Sequence, residues 1–142
     1  MASTAKADVE LLMNECVKFG KNMLIEHGEF YPYGAALSAT GEIVSVGAKG
    51  ASEHPPSAEL ISLLKTGFRE GASKGEYIAT ALFYDVRIED AKSTGMTDAI
   101  AVALDHRSNY SVIVFYPYKL QGGSASFGEL FATDGSADIF VD

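Results

Sequence analysis

The sequence predicts an α+β domain. Three observations carry that prediction. Two stretches, near residues 5–27 and 58–74, repeat apolar residues at helical spacing. Between them lies a hairpin signal, two β-type runs around a short turn containing Gly41. After them comes Glu76–Ile88, too rich in β-branched and aromatic residues for a loop, followed by two more alternating runs. The expected order is α-β-β-α-β-β-β, with a possible fourth strand at the end. That gives two helices and a mostly antiparallel sheet of about five to six strands, a single domain over residues 1–142.

The first helix starts at a cap, Thr4 or Ser3, and runs to about His27. Val9, Leu12, Met13, Cys16, Phe19, Gly20, Met23, Leu24 and His27 recur at three- and four-residue steps. Gly28 suits the left-handed position that closes a helix, and His27 is expected to pack at the helix end. The hairpin pairs Phe30–Ser38 with Glu42–Gly47, and Pro32, lacking an N–H, belongs at a strand start or an edge. Lys49–Pro56 reads as a loop, with His54 solvated. Ser57 then caps a second helix, about Ala58–Lys74, whose apolar side carries Leu60, Ile61, Leu64, Phe68 and Ala72. Gly67 and Gly71, four apart on that helix, suggest close approach to a neighbour.

Glu76–Ile88 is the expected central strand. A polar connection, Glu89–Met96, leads to Thr97–Asp105. A turn at His106–Asn109 leads to Tyr110–Tyr118. Gln121–Ser126 reads as a flexible loop, Phe127–Ala132 as a last short strand, and Ala137–Val141 as an irregular docked tail. The order is similar to that of roadblock and profilin-like domains, which offers a three-layer arrangement as the alternative packing. That likeness concerns topology and not activity.

Four strand segments are more specific: Phe30-Tyr31-Pro32-Tyr33-Gly34-Ala35, Ala81-Leu82-Phe83-Tyr84-Asp85-Val86-Arg87, Thr97-Asp98-Ala99-Ile100 and Val114-Phe115-Tyr116-Pro117-Tyr118. Together, over about residues 5–135, they resemble a group of small bacterial proteins of unassigned function. The resemblance implies a bacterial cytoplasmic protein and assigns no site residues.

Composition narrows the classes of function. The net charge is −8, and the eleven basic residues form no cluster, which disfavours nucleic acid as a partner. No run approaches the roughly 20 apolar residues of a membrane helix, and the N-terminal residues lack the pattern of a signal peptide. Cys16, the only cysteine, excludes an intramolecular disulfide. These features set a cytoplasmic expectation.

Catalytic signatures are missing. No phosphate loop or nucleophile elbow occurs. His27, His54 and His106 lie on different elements without metal-ligand spacing. No metal, no cofactor and no catalytic residue is therefore expected. Asp85, Asp98 and Asp105 are the carboxylates available for acid–base work, with cross-strand ion pairs as the competing role.

Strand alternation supplies the candidate binding residues. Phe83, Asp85 and Arg87 share one side of the central strand, and Leu82, Tyr84 and Val86 the other. A tight hairpin at Ser108–Asn109 would place Leu104, Ile113, Val102 and Phe115 on one face. Ala101, Ala103, Val112, Val114 and Tyr116 would then share the opposite one. The register of the central strand stays open, because a one-residue slip exchanges the faces. A sheet apolar on both sides needs two covers. The expected function is a non-catalytic binding or assembly module, a homodimer or partner-protein binder, acting through a tyrosine-rich surface. Phe83, Asp85, Arg87, Tyr116 and Tyr118 are its candidate binding residues. The alternatives are a small-ligand or enzymatic domain with a pocket near Asp85, Arg87 and Tyr116, and an immunity- or chaperone-like partner protein.

Overall fold

A computed structural model describes residues 4–47, 56–89 and 95–140. Its elements are α1 (Ala5–His27), β1 (Tyr33–Ser38), β2 (Ile43–Val46), α2 (Ser57–Ser73), β3 (Tyr77–Glu89), β4 (Met96–His106), β5 (Tyr110–Gln121), β6 (Ser124–Phe127) and β7 (Phe131–Asp134). The α+β class and the order of elements are as expected. The sheet has seven strands, ordered β2-β1-β3-β4-β5-β6, with β7 also beside β5, and every pairing is antiparallel. No helix among the described residues is long and apolar enough to cross a membrane. The expected loop at Lys49–Pro56 lies outside the described residues except for Pro56, and His54 with it.

α1 begins where the Thr4 side chain accepts the Ala7 N–H at 3.0 Å, and it ends at Gly28 with φ 74°. Val9, Leu12, Met13, Val17 and Leu24 bury one stripe. Phe19 and His27 depart from the expected stripe and face solvent; His27 sits by Glu26 at 3.8 Å. α2 opens with Pro56 in the cap position and no side-chain cap, so Ser57 is its first helical residue and not its cap. Gly71 lies against the Tyr77 ring, where a Cβ would clash, as expected of a close approach. Gly67 has open space around it and needs another explanation.

Two hairpins differ from expectation. His106 pairs with Tyr110 across a three-residue loop in which Asn109 adopts φ 65°. That loop is one residue longer than the tight hairpin expected from sequence, so every cross-strand partner moves by one. Gln121–Ser126 is not a loop: β5 runs to Gln121, Gly122 and Gly123 turn at positive φ, and β6 follows. The last strand starts at Phe131 rather than Phe127.

The register fixes the two faces. On one lie Ala81 and Phe83 of β3, Ile100, Val102 and Leu104 of β4, and Val112, Val114, Tyr116 and Tyr118 of β5. α1 covers this face and its side chains fill one core with it. On the other lie Thr80, Leu82 and Tyr84, then Ala101, Ala103 and Asp105, then Ser111, Ile113 and Phe115. α2 packs there, mainly over β1 and β3, through Leu64 and Phe68 against Leu82 and Ile139. The helices thus take opposite faces, the three-layer alternative. The grouping of Ala101 and Ala103 with Val112, Val114 and Tyr116 is corrected. The alanines face α2, and the tyrosines are covered by α1.

Candidate functional site

The five residues singled out from the sequence all lie on the α1 side of the sheet, but they do not form a pocket. Phe83 is fully buried and stacks on Tyr33 at 4.6 Å with an interplanar angle of 4°. That is core packing. Tyr116 is buried, and Lys21 Nζ lies 5.1 Å from its ring centroid and 4.7 Å from that of Phe127, capping both rings by cation–π attraction. Tyr118 is buried and donates its hydroxyl to Asp85 Oδ1 at 2.7 Å. Desolvation raises the Asp85 carboxyl above its usual range; the Tyr118 bond opposes this, and Asp98 and Glu29 add to it. Burial and the same carboxylate push the Tyr118 phenol up. A tyrosine kept protonated and bonded to one carboxylate is a lock between β3 and β5. Arg87 reaches Asp98 at 3.9 Å with both side chains well exposed, a pair of little energetic weight.

The three carboxylates considered for acid–base work are not brought together. Asp85 and Asp98 lie on the α1 face and Asp105 on the α2 face. His106, expected in a turn, ends β4 and is buried. Its Nε2 meets Asp8 Oδ2 at 2.8 Å, and its Nδ1 accepts the Ser108 N–H at 3.0 Å. The ring proton therefore sits on Nε2, donated to Asp8. With Nδ1 occupied by a backbone donor, the pair ties α1 to the β4–β5 turn and leaves no free nitrogen to act as a base. Among the described residues, no group of three or more His, Cys, Asp or Glu side chains is arranged to hold a metal.

The cavity lies on the other face. It holds about 170 Å³ between α2, the sheet and the segment Gly135–Ile139. Its apolar walls include Ile61, Phe68, Leu82, Ile113 and Ile139, and Thr80 and Asp105 line it together. These two are direct cross-strand partners, so their side chains stand side by side. Thr80 is fully buried, and its Oγ1 has no hydrogen-bond partner among the described residues. Asp105 is buried too, and Oδ1 accepts the Ser111 hydroxyl at 2.8 Å. Desolvation raises its carboxyl above the usual range; the Ser111 bond and Lys65 oppose this, and Asp138 adds to it. At the rim, Lys65 Nζ bonds Asp138 Oδ2 at 2.9 Å, while Arg69 Nε donates to the Asp138 carbonyl at 2.7 Å.

Asp105 was visible in the sequence as one carboxylate among three. Thr80, Lys65, Ser111 and Asp138 were not. The available signal was parity: Thr80 interrupts Ala79-Thr80-Ala81 in the middle of an apolar run. Only the register reveals that it faces Asp105.

No family model, no curated protein and no solved structure matches this chain.

Proposed function

We propose that the chain is a non-catalytic binding and assembly module that pairs with a second copy of itself. The observation that carries the reading is the stacked pair Phe115 and Phe131, ring centroids 5.0 Å apart, on the part of the α2 face away from α2. Phe131 belongs to the short outer strand β7, all of whose residues are exposed. Half-buried Tyr84, Val86 and Pro117 lie on the same face. Aromatic side chains beside a short outer strand suit a two-fold contact, in which one surface serves both partners. The sequence-derived surface around Val114 and Tyr116 is not the one proposed, because α1 covers it.

The acidity, −8 overall, fits a protein partner or a second copy better than a nucleic acid. A cytoplasmic setting is part of the reading, supported by the lone Cys16, whose thiol burial pushes up, away from the reactive thiolate. Small-ligand binding is a second reading, favoured by the cavity beneath α2.

Light scattering at tens of micromolar tests the assembly. The expected mass is twice 15.1 kDa for the native chain and 15.1 kDa for Phe131→Glu. A native mass of 15.1 kDa, or a Phe131→Glu dimer, overturns the pairing.

A further inference from the structure

The geometry points to a binding site for a small organic amine in the cavity beneath α2, with the ammonium group held by Asp105 and Thr80 and the apolar body enclosed by Phe68, Leu82 and Ile139. The inference does not depend on self-assembly, since none of these residues belongs to the Phe115–Phe131 patch.

The size of the cavity limits its guest. One water needs only ~10–15 Å³ of such space, and an engineered apolar cavity of about 150 Å³ in another protein takes up benzene. At about 170 Å³, this cavity accommodates a guest of one ring or a short branched chain.

The lining sets the guest's chemistry. Walls of Ile61, Phe68, Leu82, Ile113 and Ile139 favour an apolar body. The polar groups gather where β3 and β4 bring Thr80 and Asp105 together. A buried hydroxyl without a partner costs free energy, and so does a buried carboxylate without a matching charge. Ser111 supplies one hydrogen bond to Asp105 and no charge. Lys65, the one cation among the lining residues, is engaged with Asp138 at the rim. An ammonium has three donors and a positive charge, enough to serve Thr80 Oγ1 and Asp105 at once. An alcohol would satisfy Thr80 and leave the charge of Asp105 unmatched, and a carboxylate guest would be repelled by it.

The roof is tied to the same acid. Gly135 N–H donates to the Ser111 carbonyl at 3.1 Å, and Ala137 N–H donates to Ser111 Oγ at 3.0 Å. Ser111 Oγ in turn donates to Asp105. One hydroxyl therefore joins the acid at the site to the segment that closes over it, so a guest at Asp105 is felt at Ala137. Ala137 stands at φ 52°, in the left-handed region that a non-glycine residue adopts at a cost.

Titration of the full chain with benzylamine, followed by amide chemical shifts in two-dimensional NMR, tests the site, with benzyl alcohol and phenylacetate as comparison probes. The expected result is saturable binding of benzylamine, Kd at or below ~1 mM, with shifts centred on Thr80, Asp105, Ser111 and Ala137. Both comparison probes should bind at least about tenfold more weakly, and Asp105→Asn should weaken benzylamine by a similar factor, the usual weight of a charged hydrogen bond. Thr80→Val, which keeps the shape and removes the hydroxyl, should weaken it by a smaller factor and decides the matter if Asp105→Asn does not fold. Absence of saturation, equal affinity for the alcohol or the carboxylate, shifts centred elsewhere, or unchanged binding in a folded variant would overturn the proposal; water would then be the cavity's occupant.

Discussion

The two faces of the sheet are built to different standards. Under α1, large side chains pack ring on ring: Phe83 stacks on Tyr33, and Phe30 and the half-exposed Phe19 each meet the Tyr33 ring edge-on. Three polar side chains there are paired. The Tyr33 hydroxyl accepts the Gly20 N–H at 2.9 Å and donates to the Cys16 carbonyl at 2.8 Å. Tyr118 bonds Asp85, and His106 bonds Asp8. Under α2, alanines replace large residues on β4, a cavity remains, and a buried hydroxyl lacks a partner among the described residues. Close packing with satisfied polar groups is how a protein stabilises one structure. Leaving space and unmatched polarity lowers stability and is characteristic of binding sites. The α1 face holds the fold together, and the α2 face is where both proposals place a function.

The sharpest way to break this comparison is to truncate one large residue on each face. Phe83→Ala should cost about 3–5 kcal/mol in chemical denaturation, because it empties a fully buried site whose neighbours are already close-packed. Leu82→Ala, one residue along and on the cavity side, should fall near the lower end of the roughly 2–5 kcal/mol range for leucine. Leu82 already borders the cavity, so its removal forfeits fewer protein contacts. Equal losses at the two positions would erase the distinction. A loss below ~1 kcal/mol at both would mean that β3 is not the central strand.

A smaller effect tests the polar side of the comparison. Tyr33→Phe removes a hydroxyl that bridges Gly20 and Cys16, two groups four residues apart that can bond each other directly in an α-helix. The loss should be about 1 kcal/mol, less than a buried group left without any partner. A loss well above ~3 kcal/mol would show that the bridge, and not the ring, holds β1 to α1.

The elements were legible in the sequence, their division between two faces was not, and the difference has a definite cause. Thr4, Gly28 and the alternation of β3 set α1 and the central strand in place because caps and periodicity are local signals. The pairing of β4 with β5 depends on whether the connecting loop has two residues or three. Asn109 can adopt the left-handed conformation of the longer loop, but nothing in its neighbours demands it. That single residue moved Tyr116 and Tyr118 under α1 and sent Ala101 and Ala103 to the opposite side. The candidate residues Asp85 and Tyr118, which the sequence named without joining, meet across β4 as a hydrogen-bonded lock. The cavity was invisible because it depends on Thr80 meeting Asp105 and on Gly135–Ile139 folding back over both, contacts far apart in the chain.

The subtlest prediction uses pH to separate two acids at the same cavity. Desolvation raises the Asp105 carboxyl above the 3.8 of an unperturbed side chain. The folded state then holds this proton more tightly than the unfolded chain. The ionised group costs stability at neutral pH, and the cost disappears as pH falls below 3.8. Asp138 is the reverse. Although burial pulls it upward, hydrogen bonding and attraction from Lys65, with Arg69 adding to them, hold it below 3.8. Its contribution is present above 3.8 and is lost as pH falls through its lowered value. Asp105→Asn should therefore melt above the native chain at pH 7, and Asp138→Asn below it. Both differences should close on acidification, that of Asp105 first, because its folded-state value lies higher. Thermal melts of the two variants from neutral pH to below 3.8 would show it. If Asp105→Asn melts below the native chain at pH 7, attraction from Lys65 outweighs burial. Asp105 is then a structural charge of the kind found under α1, and the contrast between the faces fails at the residue on which it most depends.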